Sequence, residues 1–65
     1  MDSYTYNEIV KFVNESKEPV NAPQVQRKLY LGWNRTVQNL IKAYKNGDIK
    51  LEQLQETTQR TVTSP

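Results

Sequence analysis

The chain has 65 residues, nine Lys and Arg against seven Asp and Glu, a net charge of +2, and neither cysteine nor histidine. So short a chain makes one domain, burying only about 60% of the surface its unfolded form exposes. It has no disulfide framework, no thiolate nucleophile, and no imidazole, the commonest general base and the commonest metal ligand.

Other chemistry is absent as well. Two glycines cannot build a phosphate-cradling loop, and no Gly-x-x-x-x-Gly-Lys run is present. The carboxylates are scattered without metal-ligand spacing. An enzyme, a metal and a cofactor are therefore not expected. No stretch has the pattern of a signal peptide or a membrane span, so the expectation is a cytoplasmic chain with no membrane partner.

Met1 to Tyr4 is a short lead-in. Thr5 and Glu8 have the spacing of a capping box, which predicts a first helix over about 5–16. Tyr6, Ile9, Val10 and Val13 form its apolar face, with Phe12 beside it. Lys17-Glu18-Pro19 breaks it, because proline disfavours helix in the residue before it. Val20 stands alone and suits a very short strand. Asn21 is a good N-cap and Pro23 fits a first helical turn, predicting a second helix over about 22–30. Val25 and Leu29 share one of its faces. Leu31-Gly32 is the turn, with Gly32 expected to take the positive φ of a sharp break.

A third helix is predicted over 33–46, with Asn34 as a candidate cap and Asn46-Gly47 closing it. Val37, Leu40, Ile41 and Tyr44 recur at i, i+3, i+4, i+7, an amphipathic stripe. Trp33 lies near its edge and reads as core. The predicted core is Ile9, Val10, Val13, Val25, Leu29, Leu31, Val37, Leu40, Ile41 and Tyr44. Arg35, Gln38, Asn39 and Lys42 fall on the opposite face. In the tail, Ile49-Lys50-Leu51 alternates as a half-buried strand does, and Arg60-Thr61-Val62-Thr63 is β-branched. The favoured expectation is a two-stranded wing over about 48–63; the rival is a helical turn at Leu51–Glu56 followed by a disordered tail. The predicted class is α+β, mostly α: a single domain, 1–65, built as a three-helix winged helix-turn-helix with a short C-terminal β-wing.

Charge placement says more than net charge. From Pro19 through Gly47 there is no acid, while Arg27, Lys28, Arg35, Lys42 and Lys45 supply five positive charges. The remainder holds seven acids against four bases, a balance of −3. The basic field is thus confined to the predicted helix–turn–helix, as a footprint for phosphate would be. Lys42 and Lys45 have a competing role, since cations complement a helix C-terminus.

Val25-Gln26-Arg27-Lys28-Leu29 and Leu31-Gly32-Trp33-Asn34-Arg35 resemble the DNA-reading gamma domain of FtsK/SpoIIIE-type bacterial DNA translocases. Val20-Asn21 is similar to that family's short strand before the second helix, and Arg60-Thr61-Val62 to its last wing strand. The resemblance covers about residues 4–63. It implies a winged helix that reads short, polarised, G-rich duplex motifs, several copies side by side on one site, with a site-specific recombinase as a further partner. Asn34 and Arg35 match the family directly. Gln38 stands where the family often has a base-contacting arginine, Ile41 where an acid is common, and Ala22-Pro23-Gln24 lengthens the entry to the second helix. These departures leave the target sequence open. With no nucleotide-binding motif, the chain is expected to read DNA without translocating along it.

The leading expectation is a sequence-specific double-stranded DNA-binding protein, nucleoid-associated, of the kind a bacterium, phage or plasmid uses as a small regulator of transcription or a DNA-orienting factor. Asn34, Arg35, Gln38 and Asn39 are the candidate base readers. Arg27, Lys28, Lys42, Lys45 and, from the wing, Arg60 are the candidate phosphate contacts. The alternative is a winged-helix protein-interaction module for a recombinase, polymerase or host factor.

Overall fold

The computed structural model describes residues 3–64. The chain runs α1 (Ser3–Glu15), α2 (Ala22–Leu29), α3 (Trp33–Asn46), a 3₁₀ turn (Leu51–Gln53) and α4 (Glu56–Thr63). The expected α+β class and C-terminal wing are overturned. Among the described residues the β pairing is a single parallel bridge, Val20 to Leu54. Val20 donates nothing more than one ladder rung: its N–H bonds Gln53 O at 3.0 Å, and its carbonyl accepts from Gln55 N–H at 2.8 Å.

The first helix starts at Ser3, so Thr5 lies inside it and is not a cap. Thr5, Ile9 and Val13 are its buried residues, four apart on one face. Tyr6, Val10 and Phe12 pack at the margin of the core. The expected lead-in begins at Met1-Asp2, outside the described residues. After Glu15 the chain turns: Ser16 Oγ donates to the Glu18 carbonyl at 2.6 Å, just ahead of Pro19.

Local chemistry sets the start of α2. Asn21 Oδ1 accepts from Gln24 N–H at 2.8 Å, and Gln24 Oε1 accepts from Asn21 N–H at 2.9 Å. This reciprocal capping box satisfies two donors at the helix start, and Pro23 sits in the first turn. The end of α2 differs from expectation. The left-handed residue is Tyr30, at φ 55° and ψ 49°, whereas Gly32 is extended at φ −72° and serves as the N-cap of α3. Leu31 N–H then reaches back to Gln26 O at 3.0 Å, a six-to-one closure that needs a left-handed residue just before it.

The third helix has the expected bounds but a different buried stripe. Thr36, Leu40 and Ala43 are the buried residues, while Val37, Ile41 and Tyr44 are only half-buried. At ~100° per residue this turns the core-facing direction by roughly 80° from the one large apolar residues alone would give. The cause is size. Thr36 and Ala43 allow close helix packing, and the Thr36 hydroxyl is satisfied by donating to Gly32 O at 2.9 Å. Trp33, expected in the core, is 47% exposed. The helix closes at Gly47, φ 80°, with Asp48 N–H on Ala43 O at 2.9 Å and Gly47 N–H on Tyr44 O at 3.1 Å. Ile49, one residue past Asp48, is buried in the core.

The tail forms a helix because Leu54, Thr58 and Val62 are spaced four apart and all three are buried. A hairpin would have left Thr58 in a loop. Instead its Oγ1 accepts from Ala22 N–H at 3.0 Å, fastening α4 to the start of α2. Gln59 Nε2 donates to Leu51 O at 3.0 Å and Leu54 O at 2.9 Å, holding the 3₁₀ turn against α4. The wing is not observed; of the rival reading, the helical turn is present as the 3₁₀ turn Leu51–Gln53, and α4 stands in place of the disordered tail. α4 packs on α3, and α3 also packs against α1 and α2. Ile9, Val13, Val25, Leu40, Ile49, Leu54 and Val62 meet at the centre. Leu29 and Leu31 join only as half-buried neighbours.

Candidate nucleic-acid interface

The unit α2–turn–α3 presents one side of α3 outward. Arg35, Gln38, Asn39, Ile41, Lys42, Lys45 and Asn46 line a shallow groove of about 480 Å³ along it. With the buried stripe turned toward Thr36 and Ala43, the middle of the outer face passes to Asn34, Gln38 and Lys45, all exposed. Arg35, Asn39 and Lys42 lie on one flank, along the seam with α1. The structure thus keeps the four candidate base readers on a single helix side, but ranks them differently from a simple opposite-face reading.

The flank residues are held. Arg35 Nη2 donates to Thr5 Oγ1 at 3.4 Å, which ties the guanidinium to the start of α1. Asn39 Nδ2 donates to its own helix at Arg35 O, 2.8 Å. The NH₂ group has a second hydrogen and Oδ1 a free acceptor site, so this bond fixes the rotamer of Asn39 without using up its hydrogen-bonding capacity. Lys42 Nζ stands 5.2 Å from the centroid of the Tyr6 ring, a cation–π contact that positions its charge. Asn34 and Gln38 lie on the open surface.

Electrostatics grade the face. Acids are absent from Pro19 to Gly47, so α2 and α3 carry only positive charge. At the far end of α3, however, Asp48 accepts a short hydrogen bond from the Tyr6 hydroxyl, and Asn46 Nδ2 donates to the same hydroxyl at 3.2 Å. Partial burial, then the hydrogen bond to Asp48, push the Tyr6 phenol above its ordinary pKa. Asp48 is fixed from its other side too, its carbonyl accepting from Asn14 Nδ2 at 3.2 Å, while Asn14 Oδ1 accepts from Gln53 Nε2 at 2.7 Å. The anchored carboxylate weakens the positive field at the C-terminal end of α3, leaving the N-terminal half the more attractive to an anion.

The candidate phosphate contacts divide. Arg27, Lys28 and Lys45 are exposed and Lys42 half-buried. Arg60 is not in a wing: it lies on α4 and pairs with Glu56 at 3.3 Å, one helical turn away. That places it outside the α2–α3 unit. The sequence reading missed Tyr30, whose ring is 95% exposed on the turn leading into α3; the glycine two residues later drew the expected left-handed position away from it.

No group of His, Cys, Asp and Glu among the described residues is arranged to hold a metal ion, and none of the described helices is long and apolar enough to cross a membrane. Compared with protein-family models, curated proteins and solved structures, the chain matches none.

Proposed function

We propose that this protein binds double-stranded DNA sequence-specifically, laying the outer side of α3 in the major groove. The observation that carries the proposal is an acid-free α2–turn–α3 unit whose second helix exposes amides and cations along one side. The resemblance of Val25–Arg35 to a DNA-reading domain points the same way. Asn34 and Gln38, at the middle of the face, pair with adenine edges. Arg35 exchanges its long bond to Thr5 for a bidentate contact with guanine. Each good bidentate pair discriminates by about 1–3 kcal/mol. Arg27, Lys28, Lys42 and Lys45 hold phosphates and fix register. In a cell such a protein works on the nucleoid as a small regulator or DNA-orienting factor.

The test starts from selection of bound duplexes out of a random pool. Arg35→Ala should then lose about 1–3 kcal/mol on the selected duplex and little on a scrambled one. Lys28→Ala should weaken both equally and lower the salt slope by about 1. If no duplex is enriched, the function proposed here is wrong. If both variants bind like the native protein, DNA is read by another surface.

A further inference from the structure

Tyr30 departs from local rules twice. It is a bulky residue in the left-handed region, at φ 55°, where side chains with a Cβ are uncommon and strained. Its ring is 95% exposed, so packing does not hold it there. Two residues on, Gly32 takes an ordinary extended φ of −72°, and a Cβ added to it would meet nothing within 4 Å. The chain therefore places an aromatic where a glycine suits the fold and a glycine where the fold has no need of one. Both departures fall on the short connection that leads into the first turn of α3, next to Asn34 and Arg35. Strain of this kind, kept without a packing reason, marks a functional position.

We propose that the Tyr30 phenol is a contact to the sugar–phosphate backbone of duplex DNA, held clear of the protein by the left-handed turn. This rests on the DNA-binding function proposed above and deepens it. Charge selects the partner. Lys28 lines the same cavity of about 230 Å³ as Tyr30, Arg27 neighbours it on α2, and both are exposed. Among the described residues the acids that line cavities with Lys28, Glu8 and Glu15, both stand on α1, so an anion at Tyr30 is favoured on the side that acid-free α2 supplies. A tyrosine hydroxyl is a usual donor to phosphate oxygens. Being neutral, it adds affinity without displacing a counterion, so it acts on the binding constant and not on its salt dependence. Gly32, bare of a side chain, leaves room for the backbone of the duplex to come close beside it.

The experiment combines thermal melting with binding to a duplex enriched from a random pool, and to its scrambled counterpart, across a salt series. Tyr30→Gly relieves the left-handed strain and should melt about 5 °C higher while binding both duplexes about tenfold more weakly. Tyr30→Phe keeps the strain and the ring, so it should melt like the native protein and show the same tenfold loss. The salt slope should be unchanged in both, in contrast to Lys28→Ala. Native affinity in Tyr30→Phe overturns the phosphate contact, and a lower melting temperature in Tyr30→Gly overturns the strain argument on which it stands. Either result with the native protein still binding DNA removes this proposal alone; failure of the native protein to enrich any duplex removes it together with the DNA-binding function.

Discussion

Thr58 gives the sharpest test of how the tail is folded. Its side chain is 3% exposed, and its Oγ1 accepts from the N–H of Ala22, itself 2% exposed, at 3.0 Å. Ala22 is the first residue of α2, where backbone N–H groups have no partner inside the helix. The capping side chain of Asn21 is already committed to Gln24 N–H. Thr58→Val keeps the shape and removes the acceptor, leaving a buried donor unsatisfied at a cost of about 1–3 kcal/mol. Burial of the new methyl returns up to about 0.8 kcal/mol, so a net loss of about 1–2 kcal/mol is expected. For a domain of this size that lowers Tm by roughly 5–15 °C. Thr57→Val, one residue earlier on the exposed side of α4, should stay within about 0.5 kcal/mol of native. Urea denaturation of both variants gives the values, with an unchanged slope showing that only stability has moved. Equal, small effects from the two substitutions would refute the docked α4 and return the tail to a loop.

Leu40 is fully buried at the centre of α3, and Leu40→Ala should cost about 2–5 kcal/mol; against a total of about 5 kcal/mol, circular dichroism should show a largely unfolded chain at 37 °C. Gly47 holds φ 80° with open space around it, so Gly47→Ala should lose about 1–2 kcal/mol from backbone strain alone, whereas Gly47→Asn should lose less, both read by thermal melting. The raised phenol pKa of Tyr6 means the folded protein holds that proton more tightly than the unfolded chain does. Stability from this group is therefore complete below about pH 10 and falls as pH rises above it. Tyr6→Phe should flatten that part of the stability–pH curve relative to native, and an unchanged curve would show that burial and the Asp48 hydrogen bond do not raise the phenol pKa in the folded protein.

Where structure is set by contacts a few residues apart, it was legible in the sequence. Asn21 and Pro23 located the start of α2, and Asn46-Gly47 the end of α3, because caps are local hydrogen-bond chemistry. What escaped is set by packing between elements. Thr36, Ala43 and Thr58 are buried, yet periodicity counted on large apolar residues ignores small ones, and so the phase of α3 was displaced. The same habit hid the Leu54–Thr58–Val62 spacing: Leu54 and Thr58 fell in a polar stretch read as a loop, and Val62 in a β-branched run read as a strand. Tyr30 and Gly32 were read the wrong way round because glycine marks turns so strongly. The outer face of α3 shifted with that phase: Gln38 stays in its middle, while Arg35, Asn39 and Lys42, read as opposite the apolar stripe, stand on the flank toward α1.

Amide and side-chain NH₂ shift mapping during titration of the labelled protein with a selected duplex tests the proposed DNA-binding face most directly. The largest changes should fall on residues 30–39 and on the Asn34 and Gln38 side-chain amides, with smaller ones at Lys28, Lys42 and Lys45 and none on the exposed side of α4 at Thr57 and Arg60. Changes centred on α4 or on the outer side of α1, with residues 34–39 unmoved, would contradict α3 as the helix that reads DNA.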